Sequence, residues 1–391
     1  MSHDSKPVPA SPLIHGVQAP ARLRVVHIIT GLQIGGAEQA LELLLRHMDH
    51  SRFEQVVVSL GDVGPIGVRL RQLGVPVVAL GMRRRPADLL AFIRLVWLLY
   101  RWRPALVQTW LYHADLVGLL AARLAGVPRV FWNLRGSHLE AAECRRYRPL
   151  MAVLAWLSRW PEAIIANSAA GIEYHAGLGY RPRRWVSIRN GVDPLRCLAA
   201  PDAGLALRQR LGIPPEARVV GHIARFHPMK DHAGFLRMAA ILAPPGGSVH
   251  FVLAGRGVPA GVAALLAQHP GLAGRVHCLG EIEAAGPLLG AVDMLCSSSA
   301  YGEGFPNVVA EAMLAGVPVV ATDVGDTRQL LAGHGLVVPP RDPAALAQAC
   351  GRLLADRALG ANLAEAARQR AAGFTPAGMA TAFEQLYAPA A

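Results

Sequence analysis

In the stretch SSSAYGEGFPNVVAEAMLAGVPVVATDVGD, residues 297–326, the carboxylates Glu303 and Glu311 stand eight positions apart. Glu303 lies among glycines after a run of serines, and Glu311 falls inside an apolar pattern with helical spacing. A packed core has no use for either acid. A carboxylate accepts hydrogen bonds through two oxygens, which suits the vicinal hydroxyls of a sugar or a ribose. Pro306 fits a first helical turn, Asn307 to Ala315 continue the helix, and Gly316 stops it. The free amides at such a start suit a phosphate. Together these groups describe a site for a phosphorylated sugar. The alternative is a surface Glu and a buried Glu paired with a cation.

Two further clusters bear on that choice. In ARFHPMKDH, Arg225 and Lys230 flank a proline-containing loop directly after an apolar run. A guanidinium fork and an ammonium point charge at a strand end suit a pyrophosphate, although such a pair in isolation also reads as two solvated surface cations. Gly35-Gly36-Ala37-Glu38 follows another apolar run and opens a helical pattern, so its amides are placed to approach a phosphate. It is not G-x-G-x-x-G, and taken alone it reads equally as a plain strand-to-helix turn.

These groups need strands that end beneath them. LRVVHIIT, FEQVVVSL, VPVVAL, PALVQTW, PRVFWNLRG, EAIIANS and WVSIRN read as buried strands in the first half, with helices such as ADLLAFIRLVWLLYRW between them. ARVVGHIARF, VHFVLAG, VHCLG, VDMLCSS and VPVVAT repeat the rhythm in the second half, and GMATAFEQLYA ends the chain as a helix. Alternating strands and helices imply parallel sheets. Arg24-Val25-Val26 and Arg218-Val219-Val220 open the two halves alike. The turn-rich NGVDPLRCLAAPDAG places a domain boundary between them. The expected division is a loose tail over 1–20, a first domain over 21–192 joined by a helix over 375–391, and a second domain over 193–374. Ligands of such sheets sit beyond the carboxyl ends of the strands, so two facing domains make a cleft.

EGFPNVVAEAMLAGVPVVATD, with GGAE early, SIRNGVD at the boundary and ARFHPMKD after it, resembles the family 4 retaining glycosyltransferases of the GT-B fold. The resemblance covers nearly the whole chain after the tail. It implies two Rossmann-like domains facing across a cleft, with the C-terminal helix returning to the first. It implies that Gly35 and Gly36 face a donor diphosphate and that Arg225 and Lys230 stabilise it as it leaves. Glu303 would contact the transferred sugar beside its anomeric carbon, and Glu311 would hold the ribose hydroxyls. Gly304 and Phe305 would offer backbone amides, with Asn307 beside them at the helix start. No metal cofactor is expected. Relatives often carry a catalytic-side His after the fourth strand. In VQTWLYHADL that position holds Trp110, with His113 three residues on. Either His113 does that work or the alignment slips and His113 is a plain polar residue at a helix start; a further alternative has Trp110 stacking on a sugar face on the acceptor side.

The implied activity is hexosyl transfer from a nucleotide-sugar, a UDP-sugar foremost, to a lipid-linked or polysaccharide acceptor in cell-surface glycan synthesis such as lipopolysaccharide. The 391 residues carry a formal charge of +12, which favours anionic partners. RRRPADLLAFIRLVWLLYRWRP and RRYRPLMAVLAWLSRWP set basic residues beside Leu and Trp, as helices lying on an anionic membrane surface do, and as ordinary sheet-covering helices also do. No nucleic-acid module accompanies them. The N-terminal segment lacks a signal-peptide core, no run is long enough to span a bilayer, and five scattered cysteines suit a reducing cytosol. The expected location is cytoplasmic, on the inner face of the membrane. Two rivals stand beside this reading. A dinucleotide-binding oxidoreductase needs a G-x-G-x-x-G that is absent, though Asp62 could serve as the acid ending its second strand. A non-catalytic nucleotide-sugar-binding or membrane scaffold protein would have little need of Arg225, Lys230 and Glu303 together.

Overall fold

Most strands of the two sheets are short runs of Val, Ile, Leu and Ala buried on both faces, as parallel strands covered by helices must be. The computed structural model describes residues 22–83, 88–138, 141–244 and 247–388. The first sheet contains β1 (Leu23–Ile29), β2 (Phe53–Ser59), β3 (Val77–Ala79), β4 (Leu106–Trp110), β5 (Arg129–Leu134), β6 (Ala163–Ala166) and β7 (Trp185–Ser187), in the order β3-β2-β1-β4-β5-β6-β7. The second contains β8 (Arg218–Ile223), β9 (Val249–Ala254), β10 (Val276–Leu279), β11 (Met294–Ser297), β12 (Val319–Thr322) and β13 (Leu336–Val338), in the order β10-β9-β8-β11-β12-β13. Every pairing is parallel.

Strand order reverses between β1 and β4 and again between β8 and β11. Crossovers leave in opposite directions at such a point, and a crevice opens at the carboxyl ends of the strands. Gly35 and Gly36 follow β1, Arg225 and Lys230 follow β8, and Glu303 follows β11. The similar openings of the two halves are thus the two central strands, β1 and β8.

Alternation along β1 sends Val25 and Ile29 to one face and Val26 and Ile28 to the other. The first face is covered by the Gly36–His47 helix and by the C-terminal Pro376–Tyr387 helix, whose Met379, Phe383 and Tyr387 are buried in it. The Asp49 amide donates to Glu384 at 2.7 Å, and the Tyr387 hydroxyl donates to Gln108. The C-terminal helix therefore returns to the first sheet, as expected. The chain passes between the sheets twice, side by side, and the Val192 amide donates to the Phe374 carbonyl at 2.8 Å. Strand β13 and the helices Pro343–Ala355 and Arg357–Ala371 were not in the sequence reading. The β13 apolar run is only three residues long, too short to show a period.

Candidate functional site

The carboxyl ends of β1, β4, β8 and β11 enclose a cavity of about 640 Å³ between the sheets. Glu303 lies at its floor. Strand β11 ends in Ser297, and the loop turns at Gly302 with φ +81°, where a Cβ would come within 2.6 Å of the Met229 sulfur. That turn aims the Glu303 carboxylate at β8. One oxygen, Oε1, accepts from Lys230 Nζ and from Ser299 Oγ, the latter at 2.6 Å. Burial acts to raise the Glu303 carboxyl. Lys230, the Ser299 hydroxyl and Arg225 outweigh it and hold the group below its usual range. Lys230 is fixed from behind, because the Ser298 hydroxyl donates to its carbonyl at 2.9 Å. Two imidazoles pack beneath it, His222 and His232, with ring centroids 4.9 Å apart. Burial lowers them to about 3 and about 4, so both are neutral and Glu303 is the charge that answers Lys230.

The facing wall comes from the first sheet. An added Cβ at Gly36 would lie 3.5 Å from the Asn307 side-chain nitrogen Nδ2, so the glycine turn and the start of the Asn307–Leu314 helix face each other at the cavity wall. Asn190 Nδ2 donates to Asn307 Oδ1 at 2.7 Å. Gly304, Phe305 and Arg225 also line the space. Glu38, the last residue of GGAE, also belongs to this wall. Its carboxylate folds back against Gly35, at the amides expected to meet phosphate. Burial raises its carboxyl, while its own amide, Arg225 and Arg256 oppose the rise.

Glu311 sits one turn into the Asn307–Leu314 helix, beside Arg196. Burial pushes its carboxyl up, Arg196 opposes and Asp193 reinforces. An acid raised in the folded state loses stabilisation as pH rises through its folded pKa, so at neutral pH this charge costs stability. Glu311→Gln is therefore expected to raise Tm by about 2 °C and to weaken nucleotide binding about tenfold. Differential scanning calorimetry and titration calorimetry on the same samples check both. Unchanged binding contradicts the ribose role, and a fall in Tm contradicts the cost of burying this charge.

Two expected acceptor-side residues are placed elsewhere. Trp110 is fully buried at the end of β4. Its indole Nε1 donates to His27 at 3.2 Å, Arg135 lies 4.5 Å from its ring centre, and Phe383 stacks on it at 6.3 Å. No ring face is open to a sugar. Its hydrophobic bulk, needed beneath the C-terminal helix, explains why Trp stands there. His113 is half-buried on the Tyr112–Leu124 helix, edge-on to Tyr147 at 6.0 Å, and is not in the cavity wall. The wall at this point is Leu111, Arg135 and Asn167. Among the described residues no carboxylate lies within hydrogen-bond reach of Arg135; Asn190 accepts from it, and burial lowers it to about 9. Exposed His138, edge-on to Tyr174 at 5.2 Å and to Tyr301 at 6.4 Å, sits where the two halves meet. Arg135 and His138 follow the fifth strand, whereas the expected acceptor-side residues follow the fourth.

Residues 34–196 match the family described as Glycosyltransferase Family 4, and residues 217–356 match Glycosyl transferases group 1. The putative glycosyltransferase EpsF of Bacillus subtilis (strain 168) is 29% identical over 80% of this chain and 82% of its own length. The 2-deoxystreptamine glucosyltransferase of Streptomyces kanamyceticus is 30% identical over 66% of this chain and 70% of its own. Among solved structures, Anabaena Alr3699/HepE in complex with UDP-glucose is similar with a TM-score of 0.82 at 25% identity, covering 93% of this chain and 99% of that one.

Proposed function

The chain belongs to the group 1, family 4 glycosyltransferases of the GT-B fold, and from that premise we propose that it transfers a hexose from a UDP-sugar, with retention, to a lipid-linked or polysaccharide acceptor. The observation that carries the donor reading is the Lys230–Glu303 ion pair at the floor of a cleft lined also by Arg225 and by the Gly35–Gly36 turn. The relative solved with UDP-glucose supports the choice of nucleotide. The second sheet, within residues 193–374, holds the donor. The first, within 21–192 and completed by the C-terminal helix, faces the acceptor.

As the bond from the anomeric carbon to the diphosphate breaks, negative charge grows on the leaving oxygen. Arg225 and Lys230 lie where they oppose that charge in a partly dry cleft, where a cation is worth most. Lys230 also fixes Glu303 beside the sugar. The amides of Gly304 and Phe305, with Asn307, meet the sugar and phosphate, and Gly35 and Gly36 meet the diphosphate from the other side. Glu311 holds the ribose hydroxyls. Glu38 must yield its place at the glycine turn when the diphosphate enters.

The acceptor class is inferred from a surface of the first sheet. Leu89, Leu90, Ile93, Trp97 and Tyr100 are exposed along one side of the Asp88–Trp102 helix, with Arg94 and Arg101 exposed beside them. Leu124 and Trp156 continue the apolar face on the two following helices, with Trp160 in the turn after the second, and Arg123 lies over the Trp160 ring at 5.4 Å. Exposed aromatics rimmed by arginine fit an anionic bilayer surface, where a lipid-linked acceptor resides. Of the basic run at 83–85, Arg83 is exposed; Arg84 and Arg85 lie outside the described residues. Among the described residues no helix is long and apolar enough to cross a membrane.

UDP-glucose in EDTA is expected to raise Tm, since a hundredfold excess over Kd is worth about 2.7 kcal/mol. A shift that appears only with added divalent metal overturns the metal-free expectation, and no shift with any nucleotide sugar overturns the donor reading.

A further inference from the structure

The turn after β12 touches both halves of the molecule. Asp326 is only 4% exposed, and its amide donates to the Gly304 carbonyl at 3.0 Å. The preceding Gly325 has φ +60°, and a Cβ there would lie 2.1 Å from the Glu303 carbonyl oxygen, so only glycine lets this turn lie against the Glu303–Gly304 backbone. The Asp326 carboxylate reaches across to the first sheet. Oδ2 accepts from the Ala169 amide and Oδ1 from the Ala170 amide, each at 2.9 Å. These are the first two amides of the Ala169–Gly177 helix after β6, and Ser168 Oγ accepts from the next, Gly171, at 3.0 Å. A carboxylate bonded twice at the positive end of a helix is held by charge-assisted bonds. Those bonds exist only while the two sheets stand close; apart, both partners return to water. Ser137 adds a second tie, its hydroxyl donating to the Glu303 carbonyl.

We propose that Asp326 is a positioning residue that couples closure of the two sheets to the placement of the Glu303–Gly304 loop. Its amide sets the loop, and its carboxylate locks the loop's support to the helix of the facing sheet. The proposal rests on the role given above to Glu303, and no role for Asp326 follows from contact with donor or acceptor.

The test cuts the bond from both sides. Asp326→Ala removes both acceptors, and Asp326→Asn leaves one. Ala169→Pro removes one donor; Pro is favoured at the first helical position, and Ser168, with φ −154° and ψ 151°, already has the extended backbone that a following Pro demands. Turnover of UDP-glucose, read as UDP released, should fall about 30-fold in Asp326→Ala and about fivefold in the other two, while the Kd for UDP-glucose stays within about twofold. The double variant Asp326→Ala, Ala169→Pro should be no slower than Asp326→Ala, because both changes cut one connection. Small-angle scattering should give a larger radius of gyration for the variants than for wild type, with and without UDP-glucose. Unchanged turnover, or slowed turnover at an unchanged radius, overturns the proposal. If Asp326→Ala does not fold, Ala169→Pro carries the same comparison. Failure of wild type to bind UDP-glucose overturns the donor reading alone, and the scattering of the unliganded proteins still decides the coupling.

Discussion

Lys230→Ala is expected to lower turnover by about 100-fold or more while the protein stays folded. Two losses combine. The leaving diphosphate loses the cation nearest Glu303. Glu303 loses the partner that offsets its burial, so its carboxyl rises and the charge beside the sugar weakens. The second loss has a signature in stability. In wild type the folded Glu303 carboxyl lies below its unfolded value of about 4.3. Its pairing therefore contributes stability above that pH, and the contribution is lost as pH falls through the lower folded value. The Tm difference between wild type and Lys230→Ala should be present at pH 7 and shrink below about pH 4. Turnover near the wild-type rate, or a Tm difference that does not depend on pH, would remove Lys230 from the site.

What the sequence disclosed and what it hid divide along physical lines. Strands β1, β4, β8 and β11 are apolar runs bounded by Gly, Pro or charge, and each was legible. The residues that end them, Gly35, Arg225, Lys230 and Glu303, were legible too, because charges and glycines after an apolar run have no place in a core. Trp110 shows the limit. At the end of a central strand an aromatic ring serves a sugar or the core, and the choice depended on whether another element covers it. Phe383, 273 positions away in sequence, covers it, and local spacing carries no sign of that contact. Asp326 was hidden for the same reason. Its donors belong to a helix 157 positions earlier, and an Asp in a turn reads first as turn chemistry. Arg135 and His138 come after a strand that was correctly placed, but nothing in NLRGSH ranks them above any surface cation. A residue whose role depends on an element distant in sequence leaves no local sign of that role.

The apolar face of the first sheet carries the second large effect. The protein is expected to co-sediment with vesicles containing anionic lipid at low salt and to be released as salt rises. Each interfacial Arg contributes about 1 kcal/mol and is screened over a distance of about 8 Å at physiological ionic strength. Arg94→Gln with Arg101→Gln should lower binding several-fold and flatten its salt dependence. Leu90→Glu with Trp97→Glu should act more strongly, by about 100-fold, because each change withdraws a large exposed side chain from the bilayer surface and puts a like charge against anionic lipid. Leu95, Leu98 and Leu99, which pack the same helix onto the sheet, are left in place, so the fold has no reason to fail. UDP-glucose binding should be unchanged in both pairs, since the donor cavity is formed at the strand ends and not on these helices. A salt-insensitive interaction with neutral vesicles, or one indifferent to Leu90 and Trp97, returns the helix to sheet-covering alone and leaves the acceptor class without support. Loss of vesicle binding at full nucleotide affinity places the membrane contact on this face, apart from the donor cavity.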